Sequence, residues 1–484
     1  MSGPGGSAIE RAFRRLRAEL EVPGPFPGAV LEEARRVVAE REPVPSADRA
    51  DRTSIPFVTI DPPGSRDLDQ AVHAEREGDG YRLRYAIADV GFWVDRGSAI
   101  EREAWRRGVT HYAPDHREPL YPPELSEGAA SLLAGRRRAA ILFDFRLDER
   151  ASLTSWSLER AVVLSRAQLT YAQLRQWGGA DPASAPSEPW AHTLRLLAEI
   201  GPRLVALEAG RGGVSLPVRD QHVQQRAASA LGYALAYEEP NEAEAWNAQV
   251  SLLTGHVAAT RMLESGVGLL RTMPAFERGD VARFRRIARG LGFSWPEEVS
   301  YAEFMHRLPL DRPHVDALVR QARRVMRGAD YVAFHGEPPS HALHGALAWP
   351  YAHATAPLRR LADRYVLDLL VTLERGGRPD DDAVDALGRL APVMDVAARR
   401  AGQLERRVVD LAEAWTLRER VGVELPAVVI DVRGREVEVQ VEEPPLRESV
   451  PLDGAEPPEL GAHVRVRVAA VDLEVGRVVL ELAG

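Results

Sequence analysis

The 484 residues contain no cysteine and no lysine. Without thiols there is neither a disulfide framework nor a cysteine-ligated zinc or iron–sulfur centre, and this fits a cytoplasmic protein. Without lysine, a phosphate-loop lysine and a Schiff-base lysine are excluded. All 62 cationic side chains are arginine. A G- and C-rich coding sequence gives that inventory, so no single arginine reads as a functional choice. No apolar run approaches the roughly 18 residues of a membrane span. The start, MSGPGGSAIERAFRRL, has no hydrophobic stretch of a secretory leader, so no membrane partner is expected. A net charge of −9 leaves no chain-wide basic signature for nucleic acid.

The chain is 45% apolar, enough for two or three domains with a substantial core. Residues 7–20 put Ile9, Phe13, Leu16 and Leu20 on one helical face, and residues 29–41 repeat the pattern with Val30, Ala34, Val37 and Val38. This predicts a small two-helix hairpin, followed by a linker over 46–54. From 55 onward IPFVTID, YRLRYAIADV, AAILFDFRLD and LERAVVLSRAQLTY read as strands. Beyond about 190 the period is helical. It is clearest in PLRRLADRYVLDLLVTLERGG, taken to start near Thr355, and in a long helix over about 391–421. Residues 424–484 hold five short β-branched runs, the pattern of a small OB-type barrel. The expected domains are 1–50 (helical), 51–422 (mixed α/β) and 423–484 (all-β). GRGGVSLP, at 210–217, lacks the spacing of a phosphate loop.

The stretch FVTIDPPGSRDLDQAV, residues 57–72, crowds Asp61, Asp67 and Asp69 around a Pro-Pro-Gly turn. Like charges so close repel unless a cation sits among them. Hard divalent cations seek several carboxylate oxygens and keep positions open for water and phosphate, so the loop is a candidate metal site for phosphodiester chemistry. A polar surface loop is the plainer alternative.

IDPPGSRDLDQA resembles the signature of the ribonuclease II/R (RNB) family of exoribonucleases. Its Asp, five residues, Asp, one residue, Asp-Asp pattern is matched by Asp61, Asp67 and Asp69, with Gln70 where a fourth Asp is expected. The long block from YAIADVGFWVDRG to LLAGRRRAA and the later YAHATAPLRRLAD extend the resemblance, in order, over roughly residues 52–421. It implies an α/β (α+β) RNB nuclease domain with a short N-terminal helical segment and a C-terminal OB-fold barrel. It also implies a Mg2+-dependent (Mn2+ possible) 3′–5′ exoribonuclease that releases nucleoside 5′-monophosphates from single-stranded RNA, in decay or 3′-end trimming. By the same resemblance Asp61, Asp67, Asp69 and Gln70 hold the metal, Asp69 being closest to the chemistry. Arg359 grips the reacting phosphate beside Arg360, Tyr112 stacks on the terminal base, and Tyr171 and Glu405 also contact RNA. The alternative that Gln70 raises is a catalytically impaired RNB-fold RNA-binding regulator.

A chain of this charge must gather its positive side chains locally to hold a polyanion. The candidate groups are Arg136–Arg138, Arg283/Arg285/Arg286/Arg289, Arg320/Arg323/Arg324/Arg327 and Arg359/Arg360. Residues 424–484 contain no Phe, Trp or Tyr, and thirteen acids face six arginines. That composition argues against strong autonomous RNA binding by the barrel. His111, His116, His341, His344 and His353 are expected to make ordinary hydrogen bonds, His341 and His344 at a spacing that could meet on a helix.

Overall fold

The computed structural model describes residues 7–179, 185–216, 219–226, 229, 231–239, 241–312, 314–452 and 454–483, except for the side chain of Arg324. The helix α1 (Ala8–Glu19) opens with a capping box, Ser7 accepting from the Glu10 N–H and Glu10 reaching back to the Ser7 N–H. The helix α2 (Gly28–Glu40) follows. The two do not form the expected hairpin. Ile9, Phe13 and Leu16 of α1 join Leu404, Val408 and Leu411 in one small core, whereas Val30, Ala34 and Val37 of α2 enter the main core.

The strands β1 (Ala50–Asp51), β2 (Phe57–Ile60), β3 (Gln70–Glu77) and β4 (Gly80–Ala88) precede α3 (Ala99–Arg107). Then come the short hairpin strands β5 (His111–Tyr112) and β6 (Arg117–Glu118), and the long strands β7 (Arg137–Leu147) and β8 (Leu153–Leu169). The sheet order is β1-β8-β2-β3-β4-β7, and β8 also pairs with β7. Because β8 is 17 residues long, its first half pairs antiparallel with β7 and its end runs parallel to β2. The sheet therefore closes on itself around Phe57, Leu83, Tyr85, Ile141 and Phe143.

Helices α4 (Tyr171–Gly178), α5 (Ala191–Arg211) and α6 (Glu242–Ser265) cover the barrel, with the β9 (Asp220–Gln225)–β10 (Tyr233–Glu238) hairpin between α5 and α6. A satellite of α7 (Arg278–Gly290), α8 (Tyr301–His306) and α9 (Val315–Val325) has its own aromatic core around Phe284, Trp295 and Phe304. The strand β11 (Val267–Thr272) precedes it, pairing with β12 (Asp330–His335), and β13 (Leu343–His344) and β14 (Trp349–Pro350) follow. His344 thus lies on a strand, not on a helix shared with His341.

The helix α10 (Leu361–Glu374) is apolar on nearly every side and sits in the main core. It begins at Leu361, later than the pattern predicted, because residues 355–360 spend their backbone groups on the site described below. The helix α11 (Asp381–Leu417) begins ten residues earlier than expected. Asp380 caps it by accepting from the Ala383 N–H, and the helix runs through Pro392. The C-terminal strands β15 (Glu424–Arg433), β16 (Glu436–Val441), β17 (Leu446–Pro451), β18 (His463–Asp472) and β19 (Arg477–Leu482) form one antiparallel sheet, ordered β17-β16-β15-β18-β19. Its edges β17 and β19 approach each other around Val439, Val450, Val466 and Leu480. Among the described residues no helix is long and apolar enough to cross a membrane.

Candidate active site

The acidic loop leaves β2 at Asp61, whose N–H donates to the Leu169 carbonyl at the end of β8. Pro62 and Pro63 stiffen the turn, and Gly64 supplies the positive φ of +83° that it requires. The chain then doubles back. Leu68 is fully buried, its N–H donating to Ser131 Oγ and its carbonyl accepting from Leu132. This anchor fixes Asp67 and Asp69 on either side of it.

Asp69 is 3% exposed. One carboxylate oxygen accepts the Leu358 N–H at 2.7 Å and the other lies 3.5 Å from Arg359 Nε. Burial raises the Asp69 carboxyl well above its ordinary range, against the pull of Arg359 and the Leu358 N–H. Asp61 is pushed up to about 7, first by burial and then by the Asp67 charge. Tyr171, the first residue of α4, borders Asp61, and burial followed by that carboxylate pushes its phenol up to about 12.

Residues 355–360 are pinned from several directions. The Gln70 amide nitrogen donates to the Thr355 carbonyl. The Thr110 N–H donates to the Arg359 carbonyl and the Leu361 N–H to the Gly108 carbonyl. Asp363, fully buried on the first turn of α10, accepts the Ala356 N–H at 2.7 Å and takes Arg360 through Nε at 2.7 Å and Nη2 at 2.8 Å. Arg359 is left with a half-exposed guanidinium over Asp69.

Several expectations are corrected here. Arg360 is no free phosphate grip, because Asp363 already holds its guanidinium. Asp67 acts electrostatically on both neighbours but is itself already bonded. Arg117 donates to it at 2.6 Å and to Glu127 at 2.5 Å, and the Tyr112 hydroxyl donates to it at 3.1 Å. The Gln70 amide nitrogen is committed to Thr355. Among the described residues no three His, Asp or Glu side chains share one ligating point. Asp69 is buried and Asp61 half-buried, and the Arg359 charge acts on both. Glu405 is exposed on α11, and no hydrogen bond or ion pair among the described residues joins it to the carboxylates. Tyr112 is 49% exposed, its ring open to solvent above Asp67.

Of the candidate histidines, His111 is buried and His116 and His341 are exposed. His353 bonds to the Tyr331 hydroxyl at 2.6 Å, and burial holds it well below its ordinary range. His111 is lowered to about 4 by burial, then by Arg400 and Arg107. Of the basic groups, Arg138 donates to the Ser131 and Gly128 carbonyls. Arg320 pairs with Glu438 and Arg323 with Asp220. Arg324 lies outside the described side chains. Arg283, Arg286 and Arg289 are exposed on α7. The residues that sequence reasoning missed are Arg117, Glu127 and Asp363. Arg117 and Asp363 lie inside the motif blocks, but nothing local marks their partners.

Two hard-oxygen carboxylates, buried Asp69 and half-buried Asp61, each raised and each facing the Arg359 charge, form a donor set that suits a divalent cation. An arginine beside them suits a phosphate, and the exposed ring of Tyr112 suits a base.

The chain matches the RNB domain over residues 49–376 and the RNase II-type exonuclease C-terminal S1 domain over 424–483. It is 27% identical to ribonuclease R of Escherichia coli over 450 residues, covering 89% of this chain and 54% of that protein. It is also 27% identical to exoribonuclease 2 of Cronobacter sakazakii over 402 residues, covering 79% and 60%. The chain thus spans about half the length of most of the curated relatives it matches. Its fold is similar to Mycoplasma genitalium RNase R solved with ribose-methylated single-stranded RNA, with a TM-score of 0.84, 18% identity, and 98% of this chain and 78% of that chain covered. It is similar as well to yeast Ssd1, a pseudonuclease, with a TM-score of 0.69, 18% identity, and 89% and 55% covered. The chain belongs to the RNB domain family.

Proposed function

We propose that this chain is a divalent-metal-dependent 3′–5′ exoribonuclease that hydrolyses single-stranded RNA to nucleoside 5′-monophosphates, serving RNA decay or 3′-end trimming in the cytoplasm. One observation carries the reading. Asp69 and the Leu358–Arg359 segment, 289 residues apart in sequence, meet through a 2.7 Å hydrogen bond and an ion pair, and the same Arg359 charge acts on a second, half-buried carboxylate, Asp61. One arginine against two raised carboxylates leaves an acid in excess, which a purely structural ion pair does not need.

Asp61 and Asp69 hold the cation, Mg2+ or Mn2+, with the Gln70 amide oxygen as a neutral third donor. When bound, the ion supplies Lewis-acid stabilisation of the charge that develops on the phosphate. Arg359 orients the scissile phosphate through its planar donors. Tyr112 offers its ring to the terminal base, a contact indifferent to base identity. Arg117 positions Asp67, and Asp67 in turn holds the hydroxyl of Tyr112. Tyr171 walls the side of Asp61.

The test is 5′-labelled single-stranded RNA with Mg2+, Mn2+ or EDTA, run beside Asp69→Asn. A metal-dependent ladder shortening from the 3′ end in the parent, absent from the variant, is the expected result. The neutral Gln70, standing where a charged ligand is expected, favours a second reading, an RNA-binding protein on a nuclease scaffold. RNA bound but uncut under either metal would establish that reading instead.

A further inference from the structure

The C-terminal barrel cannot hold RNA by the usual means, having neither an aromatic ring nor a basic balance. Both are present just outside it. The exposed face of α1 carries Arg11, Arg14 and Arg15, turned away from the buried stripe of Ile9, Phe13 and Leu16. These arginines line a groove whose opposite wall is Trp415, near the end of α11, with Leu473 and Glu474 of the β18–β19 turn. Arg14 and Arg15 form no hydrogen bond or ion pair among the described residues. Trp415 is half-buried, and its indole N–H is buried without a partner. The Arg418 guanidinium lies 5.9 Å from its ring centre. One acid, Glu474, faces Arg14 and Arg15 across the groove.

The groove is also tied to the cleft. Arg17, on the same helix, makes a bidentate pair with Asp115 at 2.6 and 2.9 Å, both side chains about nine-tenths buried. Asp115 sits in the loop between β5 and β6, whose Tyr112 and Arg117 bind Asp67. One helix thus braces the Tyr112 hairpin with one residue and offers an arginine–tryptophan groove with others.

We infer that this groove is a second contact for single-stranded RNA, taking the segment 5′ of the nucleotides in the cleft, with phosphates on Arg14 and Arg15 and a base against Trp415. The inference rests on the RNA-hydrolase reading for its substrate, but its binding test does not. Adjacent arginines and a part-exposed aromatic ring are the two elements that sequence-tolerant single-strand binding requires. An acidic peptide would use the arginines and leave the ring idle.

The experiment measures fluorescence polarisation of labelled 20-nucleotide and 4-nucleotide RNA in EDTA, and turnover of both in Mg2+. It uses the full chain and the variants Arg14→Glu/Arg15→Glu, Trp415→Leu and Trp415→Phe. The expected result for the charge-reversed variant is at least about a tenfold weaker Kd for the 20-mer. Its constants for the 4-mer and its kcat stay within about twofold, and its salt slope is shallower by about one to one and a half. Trp415→Leu weakens the 20-mer alone, and Trp415→Phe, which keeps a stacking face, restores it. Equal effects on both lengths, or none on either, would overturn the inference. So would polyglutamate competing as well as RNA of the same length. A parent that binds the 20-mer through the groove yet cuts neither RNA would leave the second contact standing and remove the hydrolase reading.

Discussion

Replacing Asp363 by asparagine removes one charge from the most connected buried group near the site. The carboxylate is fully buried and serves three donors, the Ala356 N–H and two nitrogens of Arg360. An amide presents one acceptor oxygen, so either the backbone N–H or the guanidinium loses its partner, and the Arg360 charge stays uncompensated. Breaking a buried pair from one side costs about 3–5 kcal/mol, against a total stability of about 5–15 kcal/mol. The loss falls on residues 355–360, which deliver the Leu358 N–H and Arg359 to Asp69. A displacement of about 1 Å there lowers turnover by about a hundredfold. The companion change Arg360→Met removes the other charge. In urea unfolding the double variant should be more stable than the sum of the single losses by at least about 2 kcal/mol. Single-stranded RNA turnover, measured on the same proteins, should fall in Asp363→Asn through kcat more than KM. Additivity within about 0.5 kcal/mol, or parent-like turnover in Asp363→Asn, would refute the claim that this pair holds the arginine segment in place.

Tyr112→Ala should raise KM for RNA by about 5- to 150-fold at similar stability, while Tyr112→Phe keeps the stacking face and lies close to the parent, as steady-state assays on a 20-mer would read. Gln70→Asp adds a charged ligand beside Asp61 and Asp69 but sets a carboxylate against the Thr355 carbonyl. It should bind Mg2+ more tightly by titration and be less stable without metal by about 1–3 kcal/mol. Burial pushes the Glu448 carboxyl on β17 up to about 7, and burial together with Glu448 raises its neighbour Glu413 on α11. The folded state therefore keeps a proton that the unfolded chain releases near 4.5, and this stability, full below 4.5, is lost as pH rises through about 7. Thermal melts should fall from pH 5 to 8 in the parent, with Glu448→Gln flattening a difference of at most about 3 kcal/mol.

The acids and arginines of the site were legible because each motif is a run of adjacent residues. Asp61, Asp67 and Asp69 announce themselves on one loop, and Arg359 in another. Periodicity likewise exposes a strand or an amphipathic face, as in α1, because a local repeat decides which side is buried. It says nothing about which distant group a side chain will choose. Arg117 lies 50 residues from Asp67 and Arg360 three from Asp363, yet neither pairing has a pattern of its own. Each is fixed only when the sheet closes and α10 docks. The same blindness hid the late start of α10, since residues 355–360 read as helical until their backbone groups are claimed by Gln70, Thr110 and Asp363.

Gln70 is the informative case. In sequence it is a missing ligand; in the fold it is a strut, donating to the segment that carries Arg359. A fourth aspartate could not make that donation, so the substitution exchanges one unit of metal-directed charge for a link between the two halves of the site. An exchange that keeps Asp61, Asp69 and Arg359 in register is one a working hydrolase can tolerate. It has no purpose in a scaffold that merely binds RNA, where the register of those three groups is idle.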